Sequence, residues 1–499
     1  MKQNFIKKIF LGSLFILAFQ GFSQEYNDFD VRYQNNIKGD LTFISNNILN
    51  RDGGTATTGP NAAYDNISTS NNNNTETGGN NNYNDFKSMQ YIDVDGDTST
   101  FSSSTATFSY PEPDCNLIRY AGLYWSATYP SARAGQNLGT GRQNDFNQVK
   151  LKVPGGSYID VTADEILYDG FTSTETAMLQ NSPYACYADI TNLITPLANP
   201  EGNYTIANVR SVTGPLSPGG GAAAGWTLVI VYENPTLSGK LITTFDGFAR
   251  VRDSGSDRRL DVDYTGFNTV PSGPVRANIG AAALEGDFRI SGDRMLISAA
   301  SNGGFTTMSN ATNPADNFFN SNITLNGALT TNRTPNSRNT LGYDTDIFRL
   351  NNPTNSVIPN AETAATFRFE SRGDQYYPFF NSFNVEIIEP NIVLEKRVED
   401  IAGNDITGQG VNLGQTLDYV LTFRNTGNDD GDSYIIRDVL PVNVFLDETN
   451  LTLPAGVTYV YDEAAGLVVF SIPNSLVRMG RPASTIRMRV MWLATALIS

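Results

Sequence analysis

Residues 226–232 read WTLVIVY, a nearly continuous apolar run entered from a glycine- and alanine-rich stretch at 214–225 (GPLSPGGGAAAG). A strand with one face in water alternates apolar and polar residues, so an unbroken run predicts a central strand buried on both faces. Shorter runs of the same kind lie on either side. Residues 105–110 (TATFSY) and 204–212 (YTIANVRSV) alternate, and residues 118–125 (IRYAGLYW) are aromatic-rich. Residues 149–153 (VKLKV) and 158–161 (YIDV) flank Gly155-Gly156 and predict a hairpin. Residues 41–49, 241–251, 364–369 and 383–388 extend the pattern, and no stretch keeps a 3.6-residue apolar period over three turns. Many short strands with Gly and Pro between them predict an all-β chain of tandem β-sandwiches.

Composition narrows the chemistry. The chain has 499 residues, a formal net charge of −17, two cysteines and no histidine. Without histidine there is no Ser-His-Asp or Cys-His nucleophile pair, and no His-ligated zinc, haem or copper site. Two cysteines cannot close a Cys-only zinc site. An acidic chain also lacks the overall basic footprint of a nucleic-acid binder.

The first residues bear on the compartment. Lys2, Lys7 and Lys8 precede an apolar run at 9–19 (IFLGSLFILAF) and the small-residue pattern Gly21-Phe22-Ser23. That order predicts a secretory signal peptide over 1–23, with the mature chain secreted or held at the outer cell surface. No later run is long and apolar enough to predict a transmembrane segment in the mature chain. In an exported chain Cys115 and Cys186 become candidates for a disulfide, worth about 4 kcal/mol on the chain-entropy estimate. Two buried free thiols are the alternative.

The organisation read from composition has four parts after the signal peptide. Residues 24–235 form a sandwich region carrying an Asn-rich exposed loop around Asn71–Asn74 and Asn80–Asn82. Residues 236–388 are a second β-rich region, either separate or one unit with the first. A shift at Glu389-Pro390 opens an immunoglobulin-like sandwich over 389–490, free of cysteine. Residues 491–499 are an apolar tail, read as an artefact of truncation or frameshift, or as the start of a strand completed elsewhere.

The C-terminal segment carries Asn391-Ile392-Val393-Leu394-Glu395-Lys396, then residues 419–427 (YVLTFRNTG), then Asp438-Val439-Leu440-Pro441. This resembles the conserved-repeat domain of bacterial surface proteins, the domain of unknown function numbered eleven. Residues 39–50, 91–104, 121–125, 225–233, 245–248 and 342–348 (GYDTDIF) are similar to the N-terminal region of large secreted proteins that carry such repeats. The resemblance implies a gliding-associated surface protein exported by the type IX route, adhesin-like and without catalytic activity. Its implied partners are surface glycans or other cell-surface proteins. The chain departs from those relatives in ending at Ser499 without a recognisable sorting domain. The competing expectation is a secreted carbohydrate-binding or carbohydrate-active protein.

Candidate sites are few. Asp93, Asp95 and Asp97 alternate in IDVDGDTST, a pattern that can gather oxygen ligands around calcium; no cofactor is otherwise expected. The EF-hand positions for Gly and Glu hold Thr98 and Ser104, so an ordinary polar turn is the competing expectation. Residues 428–432 (NDDGD) are a weaker second candidate. Asp253-Ser254-Gly255 matches the aspartic-protease triplet, but those enzymes need two and one is present. Tyr120, Tyr124, Trp125, Tyr129 and Trp226 are the aromatics available for glycan stacking, with core packing the competing role.

Overall fold

The computed structural model describes residues 24–52, 59–64, 84, 88–130, 142–215 and 221–492. The expected signal peptide, the Asn-rich stretch and residues 493–499 lie outside the described residues. The chain is all-β, with only short helices such as Thr176–Asn181 and Thr191–Ile194 among the described residues.

The long first strand, Gln24–Asn47, organises everything before residue 389. Its first part, up to Lys38, pairs antiparallel with Gly239–Arg252. From Gly39 it pairs instead with Ala224–Glu233, in register Leu41 to Val231 and Phe43 to Val229. One strand thus belongs to two half-sheets that together make eleven strands. One half adds Leu117–Thr128, Pro183–Asp189 and Glu165–Asp169; the other adds Gln375–Glu386, Ala277–Leu284 and Tyr343–Arg349.

The two halves pack face to face. Leu41, Phe43, Tyr124, Val229 and Val231 from one half share a core with Ile242, Phe248, Ala282, Ile347 and Phe380 from the other. The ring centroids of Tyr124 and Phe380 lie 5.2 Å apart across that interface. Each half is then covered on its outer face. Leu228, Ile230, Trp226 and Trp125 pack against Phe108, Leu151 and Ile206 of a five-stranded sheet. Phe245, Ala281 and Phe383 pack against Val262, Ile297 and Phe367 of a four-stranded sheet. The result is four β-layers with three cores between them. Residues 226–232 lie in an inner layer, and all seven are buried, as an unbroken apolar run requires. The regions 24–235 and 236–388 are therefore one stack.

The predicted hairpin forms, with Leu151 opposite Ile159. The strand expected at 204–212 is shorter, Gly202–Ala207, and the one expected at 383–388 begins earlier, at Gln375.

Residues from Ile392 form a separate sandwich of a four-stranded and a three-stranded sheet around Leu421, Phe423, Phe470 and Ile486. This is the layer arrangement of an immunoglobulin-like domain. In chain order its sheets run 1-2-7-4 and 3-6-5, so the fifth and seventh strands exchange places relative to the constant-type order. The last strand runs Ser484–Trp492, two residues past Val490, and Trp492 packs against this core. The junction is fixed by the turn at Asn425–Asn428. The Asn428 side-chain NH2 donates to Ile387 O (2.9 Å), and its amide oxygen accepts from Glu389 N–H (2.8 Å). Gly427 is required there, because a Cβ would lie 2.2 Å from Asn391 N.

Candidate functional site

The sequence-based candidates are absorbed by structure. Asp95 sits in a loop that satisfies itself. Its Oδ1 accepts from Asp97 N–H (2.9 Å) and the Thr100 hydroxyl (3.1 Å), and its Oδ2 accepts from the Tyr158 hydroxyl. Burial pushes the Asp95 carboxyl up, but hydrogen bonds from Tyr158 and Asp97 outweigh it and hold the group below the usual range. Burial raises Asp93, whose Oδ1 accepts from Ser103. Asp97 turns to Ser99 N–H (2.8 Å). Among the described residues no group of three or more His, Cys, Asp or Glu side chains is disposed to hold a metal ion.

The disulfide expected between Cys115 and Cys186 is not formed. Cys186 is buried in the strand Pro183–Asp189, in register with Trp125, whereas Cys115 is exposed in the turn before that partner strand begins at Leu117. Eight residues of strand separate Leu117 from Trp125, roughly 26 Å, and a disulfide needs Cα atoms within about 7 Å.

Asp253 forms an exposed ion pair with Arg258 (2.5 Å) in an ordinary turn. Tyr120, Tyr124, Trp125, Tyr129 and Trp226 are all buried, and the Trp226 indole N–H donates to Ser104 Oγ (2.8 Å). None of them offers a ring face to a glycan.

Two features were not read from the sequence. The first is a polar groove where the first strand crosses from one half-sheet to the other. Asp40, just past the crossing, meets the start of Gly239–Arg252 and the end of Gln375–Glu386, and these segments enclose about 300 Å³ with Arg276, Asn278 and Arg349. Asp40 pairs with Lys240 (2.5 Å), and Glu386 pairs with Arg276 (3.2 Å) and accepts from Ser238 Oγ (2.9 Å). Arg349 is exposed, and it makes no ion pair among the described residues. Asn384 is 1% exposed, and neither its amide nitrogen nor its oxygen has a hydrogen-bond partner. A second cavity of about 380 Å³ shares Arg276 and Glu386 and reaches Asn391 and Asn428 at the junction with the C-terminal sandwich. The groove thus presents the exposed Arg349 guanidinium and two carboxylates held by cations, above the buried amide of Asn384. That set can hydrogen-bond hydroxyl, amide or carboxylate groups of a polar ligand.

The second feature lies at the opposite end of the same strands. Along Tyr343–Arg349, Tyr343 and Ile347 face the central core, so Asp344 and Asp346 point with Phe348 into the outer sandwich. Asp293 and Asp374 join them, and all four are at most 4% exposed. Burial pushes Asp293 up to about 7 and Asp346 up to about 8, and drives Asp344 and Asp374 well above the usual carboxylate range. The alternation in GYDTDIF was the available signal. Tyr343 and Ile347 mark one buried face, and the acids occupy the other with Phe348.

No family model matches the chain, and no curated protein matches it. Among solved structures it is similar to the major capsid protein P2 of bacteriophage PM2, at 6% identity and a TM-score of 0.15, over 57% of this chain and 97% of that one. An archaeal virus protein described by a triple jelly-roll fold is similar at 8% identity and a TM-score of 0.15, over 78% and 87%. Dimeric latent PorU from Porphyromonas gingivalis is similar at 11% identity and a TM-score of 0.17, over 79% of this chain and 32% of that one. At these scores the likenesses carry no argument about this chain's fold or role.

Proposed function

We propose that the chain is an exported cell-surface protein, structural or adhesin-like, that binds its partner without transforming it. The N-terminal stretch 1–23 would carry it through the membrane, and the resemblance to conserved-repeat surface proteins supports a reading as a gliding-associated, type IX-exported chain. The observation that carries the reading is the groove at the crossover strand. Its carboxylates, Asp40 and Glu386, are held by Lys240 and Arg276, while Arg349 lines the groove with its guanidinium exposed. Such a set favours recognition over acid–base chemistry.

Carbohydrate binding is the second reading. The exposed Arg349 guanidinium on the groove favours it, since its fixed fork of donors can reach adjacent sugar hydroxyls. Two measurements test the proposal: surface labelling of intact cells, and a glycan-array and cell-binding screen of the mature protein beside Arg349→Glu. Intact cells should be labelled, and the parent should bind a surface ligand that the variant loses by tenfold or more. Labelling that appears only after lysis, or equal binding by the two proteins, contradicts it.

A further inference from the structure

The groove at the crossover strand does not end at Asp40. Arg276 and Arg349 line its first part, and both also line an adjoining hollow of about 350 Å³ between Pro274 and Pro353. Arg276 borders the cavity at the junction as well, so the three hollows join into one trough running from Pro353 to Thr426. Strand pairing places the two guanidiniums in it. Asn278 stands directly opposite Arg349 on one side and Asn384 on the other. Ile347 faces the central core, so Arg349, two residues on, leaves the sheet from the same face. Arg276 lies two residues before Asn278, and its carbonyl accepts from Glu386 N–H (3.0 Å), which continues the ladder. The two arginines are thus diagonal cross-strand neighbours on one face, about 7–8 Å apart at the backbone. Both are exposed.

The charges do not balance at that point. Lys240 matches Asp40, and Arg276 matches Glu386 (3.2 Å), which leaves Arg349 without a carboxylate among the described residues. Two guanidiniums therefore share one carboxylate, in a chain whose net charge is −17. The far end of the trough has the opposite character, because Glu389 lines the junction cavity. An anionic group would accordingly settle between Arg276 and Arg349. The main chain beside them is already spent: Leu350 N–H donates to Ala277 O (2.8 Å), and Glu386 N–H is held by Arg276 O. A peptide added as a strand needs an unpaired sheet edge, which this place does not offer. What remains for a ligand is side-chain chemistry, from the guanidiniums and from amides and hydroxyls such as Asn278, Asn326 and Ser238. These suit hydroxyl groups set along a sugar chain.

We infer that Arg276 and Arg349 form a carboxylate-reading pair, and that the ligand of the trough is an acidic polysaccharide of the polyuronate class. The inference rests on the reading of this groove as the binding site and names the chemistry of its ligand. A guanidinium meets a carboxylate with two parallel N–H donors, which a lysine cannot do. A uronate unit seated between the arginines supplies the carboxylate that Arg349 lacks, and the units on either side of it follow the trough.

The test is calorimetric titration of the full mature protein with polygalacturonate, polymannuronate and hyaluronate. Two controls accompany them: methyl-esterified polygalacturonate, which keeps the sugar chain without the charge, and polyglutamate, which keeps the charge without the sugar. At least one polyuronate should bind, about tenfold or more tighter than either control. Its affinity should fall about tenfold in Arg349→Ala and in Arg276→Ala, and Arg349→Lys should recover only part of the loss. Raising the salt from about 50 to about 500 mM should weaken it severalfold. No polyuronate bound, equal binding of either control, or an affinity unchanged in both alanine variants overturns the inference. A neutral glycan held through Arg349 would also overturn it while leaving the binding proposal standing, whereas loss of every glycan and surface ligand would remove both. Should Arg276→Ala fail to fold, Arg349→Ala and the esterified polymer decide.

Discussion

Replacing Phe380 with alanine tests whether the four layers behave as one folded unit. Phe380 is 1% exposed and sits in the core shared by the two half-sheets, with its ring 5.2 Å from Tyr124 on the facing half. A buried phenylalanine removes about 150–200 Å² of apolar surface from water, worth roughly 4–5 kcal/mol at 25 cal/mol per Å². Measured Phe→Ala changes in cores cost about 3–5 kcal/mol, because the cavity only partly collapses. In a unit this large each kcal/mol moves the midpoint by about 2 °C, so Phe380→Ala should lower it by about 6–10 °C. The assay is differential scanning calorimetry on parent and variant. The stack carries the crossover strand through both halves, so its transition should shift as a whole. The C-terminal sandwich has its own core and should melt where it did. The reasoning fails if the variant splits the main transition, with residues 24–235 melting unchanged, or if the midpoint moves by less than 2 °C.

Thiol titration of the native protein should find one reactive group, exposed Cys115, with Cys186 appearing only on unfolding; burial also pushes the Cys186 thiol well up, so little thiolate forms. Asp418 is held below the usual carboxylate range because, against the raising effect of burial, Arg489 Nε (2.9 Å) and Arg487 Nη1 (3.2 Å) both donate to it. A depressed folded pKa stabilises above the unfolded value near 3.9 and loses that contribution as pH falls through the folded value. Asp418→Asn should therefore cost about 1 kcal/mol at pH 7, discounted for the part-exposed arginines, and the gap should close below about pH 4 in urea melts. Gly427→Ala should loosen the junction, since its Cβ would meet Asn391 N and Glu389 O. Limited proteolysis should then cut near 389–391 at least several-fold faster than in the parent.

Much of the layering was legible where pattern and burial coincide. The unbroken 226–232 run announced a strand covered on both faces, and Gly155-Gly156 announced the hairpin. The stacking was not legible. A two-face-buried strand says that something covers each face, but the partner across the central core comes from residues such as Phe380, some 150 positions away. Ala277–Leu284 (ANIGAAAL) was passed over because small residues carry no strand propensity, although packing makes all but one of them buried there. The groove was invisible for a different reason. Asp40, Lys240, Arg276 and Asn384 come from four segments and share no local spacing. The acidic loop at 93–97 had the spacing, and its own hydrogen bonds use it up.

The most direct test of the central claim asks whether the protein holds a ligand without changing it. The mature protein is incubated with each glycan or surface preparation that it retains on the array. Bound and free ligand are then recovered and analysed by mass spectrometry, beside Arg349→Glu and Arg349→Ala. The account predicts saturable binding that weakens at least tenfold in both variants, with the ligand recovered intact after prolonged incubation. Cleaved or otherwise modified ligand formed by the parent, or binding that ignores both substitutions, would contradict it.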